Sequence, residues 1–169
     1  MKLLRLLIIT VILITLGSCK KVKLENVESV YGSWQWYNSS VGGVIGMVNT
    51  SHYPDDNVVF VFSYEDKISI IHNGEVIVSE ENYDIFKSKD SQYGEYLIEL
   101  PEHVLDKIEK CDEPLGNYIV ANGYINISNT ATIGNITECL VITDTKGVDM
   151  GAEGGSDFHR QSYFIPVNQ

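Results

Sequence analysis

Over most of the chain, short apolar runs alternate with clusters of turn residues. Val58 to Phe62 is β-branched and aromatic throughout, which is long enough for a strand and short for a helix. Asn73-Gly74 separates two further runs, and this dipeptide is a strong hairpin signal because a type I′ turn needs positive φ at both central residues. The pattern predicts antiparallel strands joined by tight turns.

Eight further segments have this strand-like character: 67–72, 75–79, 83–87, 95–100, 117–121, 124–128, 138–143 and 159–167. Only Pro101 to Lys110 has a helical pattern, with Pro at its first position and Val104, Leu105 and Ile108 on one side. We therefore predict an all-β fold, an antiparallel up-and-down barrel of about eight to nine strands with one short helix. Closing such a sheet into a barrel removes its exposed edges.

The N-terminal segment has a different pattern. Basic residues, Lys2 and Arg5, precede an apolar run that ends at Leu16, and small residues follow. This order is typical of a secretion signal, and the run is shorter than the ~20 apolar residues that span a bilayer. Residues 1–18 are therefore predicted to be a signal peptide.

The end of that segment reads Leu16-Gly17-Ser18-Cys19 and resembles the lipobox of bacterial lipoproteins. The resemblance implies lipid on the thiol of Cys19 and cleavage just before it; the alternative is an ordinary signal peptide and an unmodified thiol. Lys20, Lys21 and Lys23 would add attraction to anionic headgroups. We expect a tether over residues 19–28 and a barrel domain over 29–169.

Charge excludes one class of partner. The chain has 23 acidic and 12 basic residues, and loss of Lys2 and Arg5 with the signal moves the net charge from −11 to −13. Such a surface repels phosphates, and no basic patch with interleaved aromatic residues is present, so nucleic acid binding is not expected. The remaining 151 residues suit one domain with a core.

Two cysteines remain besides Cys19. Cys111 and Cys139 form an even pair in a compartment that permits disulfides, but their separation in sequence says nothing about their distance in space. The sequence leaves two states open, a disulfide or two buried thiols.

A second resemblance begins at Gly32-x-Trp34, which is similar to the Gly-x-Trp signature on the first strand of lipocalins and related barrels. The apolar strand at 58–62, the Asn73-Gly74 hairpin and the late strands follow in an order that looks like bacterial lipocalin-like lipoproteins. The resemblance implies that Trp34 closes the barrel floor. It also implies an Arg on the last strand stacked over that Trp, and here Arg160 stands at the start of that strand.

The polar residues match no catalytic or metal-binding motif of defined spacing. His52, His72, His103 and His159 lack zinc-site spacing, and no Gly-x-Ser-x-Gly elbow is present. His52 beside Asp55 and Asp56, and the acidic Gly-rich stretch from Asp149 to Asp157, match no defined metal loop. Ser156, Asp157 and His159 are neighbours in sequence, which does not make a triad. We expect no enzyme activity, no metal and no cofactor.

The expected function is that of a lipid-anchored envelope protein that binds a small apolar or amphipathic molecule. We expect it to be attached to the outer membrane and to face the periplasm. The alternative is a protein-binding lipoprotein, an inhibitor or assembly factor, with a filled barrel and an exposed loop over residues 38–53. An interior of about eight strands can be filled by side chains or hold one small ligand.

Overall fold

A computed structural model describes residues 22–25, 27–43, 46–50, 57–89, 94–111, 119–128, 139–145 and 159–167. These residues form one antiparallel sheet, one α-helix, α1 (Glu102–Glu109), and a 3-10 turn (Glu28–Val30). The strands in chain order are β1 (Lys23–Leu24), β2 (Gly32–Gly43), β3 (Gly46–Thr50), β4 (Val58–Ser63), β5 (Lys67–His72), β6 (Glu75–Asn82), β7 (Asp84–Lys87), β8 (Tyr96–Glu99), β9 (Gly123–Ser128), β10 (Cys139–Thr143) and β11 (His159–Pro166).

The strand order is that of an up-and-down barrel. Hydrogen-bonded neighbours run β7-β8-β9-β10-β11-β2-β4-β5-β6, with the short β1 added to β7 and β3 paired to β2. The two ends of this path, β6 and β7, are consecutive in the chain and separated only by Tyr83. If 75–87 is counted as one bent strand, eight strands form a circuit in which each pairs with its chain neighbours and β11 pairs back to β2. The predicted all-β, barrel-like fold is confirmed.

The bend at Tyr83 leaves a seam, because β6 pairs only with β5 while β7 pairs with β8 and β1. Helix α1 packs beside β6, where the Glu81 carboxylate meets His103 Nε2 at 3.1 Å and Lys107 Nζ at 3.3 Å. On the other side of the bend, Lys23 of β1 pairs with Asp84. The helix and the first strand thus cover strand edges that would otherwise be exposed.

Large apolar side chains occupy the centre of the barrel. Along β4, Val58, Phe60 and Phe62 are buried and alternate with half-exposed residues, as strand periodicity requires. The Phe60 ring lies 4.8 Å from that of Phe164 on β11, and the Phe62 ring lies 5.5 Å from that of Tyr83. Aromatic pairs at these distances add to the stabilisation from burial.

Two local predictions are wrong. Residues 38–53 were expected to form an exposed loop, but β2 continues to Gly43, β3 covers 46–50, and Ser39 and Ser40 are buried. Residues 119–121, the described part of the strand expected over 117–121, are in no strand. In both places tertiary contacts override the local sequence pattern. The small hydroxyl side chains of the first segment fit inside the sheet, and the apolar second segment packs into the end of the barrel without pairing.

Candidate functional site

The barrel has two distinct ends. We call the end where β2 begins and β11 finishes the floor end; there Trp34 lies opposite Pro166 and Phe60. We call the opposite end, where β11 begins and β10 finishes, the mouth end; there Arg160 lies opposite Val41. The candidate site lies at the mouth end.

The floor end is closed around Trp34. This side chain is 4% exposed and Trp36 is 2% exposed, so these two residues, two positions apart on β2, share a buried face. Trp34 Nε1 donates a hydrogen bond of 2.9 Å to the carbonyl of Val30 in the 3-10 turn. Gly32 starts the strand with φ of +138°, a conformation that side chains with a Cβ rarely adopt, which explains a glycine two residues before the tryptophan.

Arg160 does not lie over Trp34. Its partner on β2 is Val41, seven residues along the strand from Trp34, a separation of roughly 20 Å at the rise of an antiparallel strand. The structure therefore brings Gly32 and Trp34 together and places Arg160 at the opposite end.

Beneath the mouth, a chain of buried hydrogen bonds crosses the barrel wall. Trp36 Nε1 donates to Ser39 Oγ at 3.0 Å, and Ser39 Oγ lies 2.8 Å from Ser162 Oγ. The amide of Val120 donates to the same Ser162 oxygen at 2.7 Å. Buried polar atoms are costly unless they are hydrogen-bonded, so this network holds the segment at Val120 against the barrel interior.

That segment and helix α1 fill part of the mouth. Ile119, Val120 and Ala121 are 6–7% exposed although they belong to no strand. The amide of Leu100, at the end of β8, donates to Asn122 Oδ1 at 2.9 Å, which fixes the far end of the segment. A cavity of about 240 Å³ remains between the helix, this segment and the rim of the barrel.

Both apolar and polar side chains line this mouth cavity, and polar atoms supply more of its surface than apolar ones. The apolar lining comes from Leu105, Ile108, Ile119, Val120 and Ala121, and the polar lining from Glu109, Asn122, Asp144, Thr145 and Arg160. Two carboxylates and one guanidinium give the described lining a formal charge of −1, however the three are paired. This charge disfavours an anionic ligand and suits a neutral or cationic one.

A second cavity of about 290 Å³ lies at the seam, between Asn82–Asp84 and Glu99–Pro101. Tyr83 lines it, and its hydroxyl is buried with no hydrogen-bond partner among the described residues. Burial raises the pKa of Tyr83, so the phenol stays protonated. The cavity sits where β6 bends into β7, and we assign it to the bend rather than to a ligand.

The two cysteines are thiols, not a disulfide. Cys111 follows helix α1, where its Sγ lies 3.2 Å from the carbonyl of Lys107, and Cys139 is buried at the start of β10 opposite Ser128. Burial raises the pKa of the Cys139 thiol. The structure therefore has no bridge between them, and of the two thiols only Cys139 is buried, while Cys111 is half-exposed.

Several predicted features lie outside the described residues: Cys19, His52 with Asp55 and Asp56, the stretch 149–157, and thus two members of the Ser156, Asp157 and His159 group. In the part of the chain that is described, no cluster of three or more His, Cys, Asp or Glu residues could hold a metal ion. Within the same ranges, no helix is both long and apolar enough to cross a bilayer.

Compared with protein-family models, curated proteins and solved structures, the chain has no match. Its class therefore follows from its own strand order, an antiparallel up-and-down barrel-like sheet with one short helix at its mouth.

Sequence reasoning missed the mouth site for an identifiable reason. The register between β11 and β2 shifts between Tyr163 and Phe164, so that Trp36 and Asn38 face consecutive residues and Tyr37 is extra. Such a bulge reverses the inward and outward alternation beyond it, which turns Ser39 inward. Asn122, just before the Gly123 that opens β9, was the one visible sign of a sharp turn there.

Proposed function

We propose that this chain is a lipid-anchored, non-enzymatic binding protein of the lipocalin-like type. Its ligand would be a small amphipathic molecule with a neutral or cationic head group. The observation that carries the proposal is the mouth cavity of about 240 Å³, which is lined by both apolar and polar side chains. Pockets for drug-sized ligands measure roughly 300–1,000 Å³, so the expected ligand is small.

The position of the cavity supports binding at the mouth rather than deep in the barrel. Phe60, Phe164 and Trp36 occupy the centre, each at most 2% exposed, so a ligand entering from the mouth meets a packed core below it. The buried link between Ser162 and Val120 holds one wall in place before any ligand arrives. A preformed wall lowers the entropic cost of binding.

The proposal that the protein is not an enzyme rests on the side chains that line the mouth cavity. Its described side chains include no serine, cysteine or histidine, and Thr145 supplies its one hydroxyl. A serine or cysteine beside a histidine is a frequent hydrolytic arrangement, and the described lining contains none of these three residue types.

The anchor is part of the same proposal. Lipid on Cys19 would hold the domain at the outer membrane, facing the periplasm. Two or more acyl chains give stable membrane attachment where one gives only marginal binding. Cell fractionation with palmitate labelling should show the parent protein in membranes and the Cys19→Ser variant released and unlabelled. A labelled, membrane-bound Cys19→Ser variant would contradict the anchor.

Native mass spectrometry of the acylated protein, purified from its own host, tests the binding site. The expected result is a bound small molecule in the parent that is lost in Thr145→Trp, because Thr145 is exposed at the rim and a larger side chain there blocks entry without disturbing the core. Ser33→Ala, on the outward face of β2, is the control and should retain the ligand. Equal occupancy in Thr145→Trp and the parent would contradict this site.

The second candidate is a protein-binding lipoprotein, an inhibitor or assembly factor. The packed aromatic centre of the barrel favours it, since a filled barrel does not depend on a ligand for its function. It predicts that a stoichiometric protein partner, rather than a small molecule, accompanies both the parent and Thr145→Trp.

A further inference from the structure

The exposed apolar side chains are concentrated at the floor end. Among the described residues, four large apolar side chains are strongly exposed, and three of them, Val22 (65%), Tyr64 (73%) and Val167 (38%), lie near this end. Tyr64 follows β4 directly and its ring lies 4.8 Å from the ring of Tyr31, the residue before β2. Val167 donates its amide to the carbonyl of Ser33.

The N-terminal strand enters the fold at the same end. Lys23 and Leu24 pair with Phe86 and Ile85 of β7, and the carbonyl of Val22 accepts the amide of Lys87. Asp66, in the turn after Tyr64, acts electrostatically on both Lys23 and Tyr31, which makes the N-terminal strand and the tyrosine pair neighbours.

Covalent length then fixes how far this end can lie from a lipid on Cys19. Val22 is three residue steps beyond Cys19, and an extended chain covers at most ~3.6 Å per step, so the reach is about 11 Å. The floor end therefore cannot move far from a membrane that holds the acyl chains, whereas the mouth cavity lies at the far end of the barrel.

Resting on the proposed lipidation of Cys19, we infer that the floor end is a membrane-contacting surface, with Tyr31 and Tyr64 at the level of the lipid headgroups. Tyrosine suits that depth because its ring is apolar and its hydroxyl can remain hydrated. The mouth cavity then opens away from the membrane, toward molecules in the aqueous space.

The charges around the tyrosine pair indicate which lipid surface it meets. Glu28 and Asp66 are close enough to Tyr31 to act on its pKa, although burial of the ring is the larger cause that raises it. Of the described cations near this pair, Lys23 is paired with Asp84, and Lys67 Nζ donates to the carbonyl of Glu80. Carboxylates beside the pair offset the attraction of Lys20 and Lys21 to anionic headgroups, so the surface does not require anionic lipid and we expect contact with zwitterionic headgroups.

The experiment uses the acylated full-length protein in phosphatidylcholine vesicles whose acyl chains are brominated near the headgroup. Tyr64→Trp places a reporter at the floor end, and Val76→Trp places one at the fourth exposed apolar position. Val76 pairs with Ile71, four residues and roughly 14 Å along β5 from Lys67 beside the Tyr64 turn. Both sites are exposed, and the buried Trp34 and Trp36 contribute equally to both variants.

Brominated lipid should quench the tryptophan fluorescence of Tyr64→Trp more than that of the parent. The quenching of Val76→Trp should equal that of the parent. Vesicle flotation is measured on the same samples. Flotation with equal quenching of the two variants, or stronger quenching of Val76→Trp, overturns the orientation while the anchor stands. Absence of flotation and of acyl mass on Cys19 removes the anchor and the inference with it.

Discussion

The floor end and the mouth end of this barrel are closed by different kinds of structure. The floor is closed by the indole ring of Trp34 and its hydrogen bond to the carbonyl of Val30, with Gly32 allowing the chain to turn in. The mouth is covered by a helix and by a segment without regular structure, both fixed through polar contacts, and it retains a cavity of about 240 Å³. We therefore propose that the floor end stabilises the fold and that the mouth end binds the ligand.

The strongest test of this division is removal of the floor tryptophan. Trp34→Ala deletes a buried ring and should lower the free energy of unfolding by about 3–5 kcal/mol, a large share of the ~5–15 kcal/mol of a typical domain. Urea unfolding of the domain with Cys19 replaced by Ser measures it. Gln35→Ala, on the half-exposed face of the same strand, is the control and should change little. Equal free energies of unfolding for Trp34→Ala and Gln35→Ala would contradict the role of Trp34 in closing the floor.

The serine network should matter less for stability and more for the mouth. Ser162→Ala leaves the amide of Val120 and the hydroxyl of Ser39 short of a partner, at a cost of about 1–3 kcal/mol. Hydrogen exchange should accelerate at Val120 while the strands at the floor stay protected. Ser33→Ala makes the same chemical change on the outward face and should leave both readouts unchanged. Loss of protection at the floor in Ser162→Ala would mean that the two ends are not independent.

The smallest expected effect concerns the attachment of helix α1 to β6. The hydrogen bond from His103, and then the one from Lys107, hold the pKa of Glu81 below its usual range. A lowered folded-state pKa stabilises the fold above the unfolded value of about 4.3, and this contribution is lost as the pH falls through the folded-state pKa. Glu81→Gln should therefore melt slightly below the parent at neutral pH and together with it in acid. The control, Glu80→Gln, should have the same melting temperature as the parent across the pH range. A difference in melting temperature between Glu81→Gln and the parent that grows in acid would contradict this assignment.

The sequence predicted the parts of this molecule that follow from short-range pattern. The apolar run at Val58–Phe62, the Asn73-Gly74 hairpin and the helix after Pro101 all lie where they were expected. Burial of Trp34 was expected from the Gly-x-Trp resemblance, and strand periodicity puts Trp36 on the same face.

The mouth could not be predicted in the same way, because it depends on strand register. The bulge at Tyr37 turns Ser39 inward, and only the pairing of β2 with β11 brings Ser39 to Ser162, 123 residues away in sequence. The pattern separates strands at 75–79 and 83–87, but it does not show that the strands on either side of Tyr83 become the two ends of the sheet, because that depends on pairing.

The central claim, that the mouth is the binding end, is tested most directly by an amide NMR titration with octylamine, octanol and octanoate, three ligands of equal chain length. The account predicts saturable shifts at residues 119–122 and at Asp144 and Thr145, stronger for octylamine and octanol than for octanoate because the rim carries a net negative charge. Shifts confined to Tyr31 and Tyr64 at the floor, or tightest binding by octanoate, would contradict it.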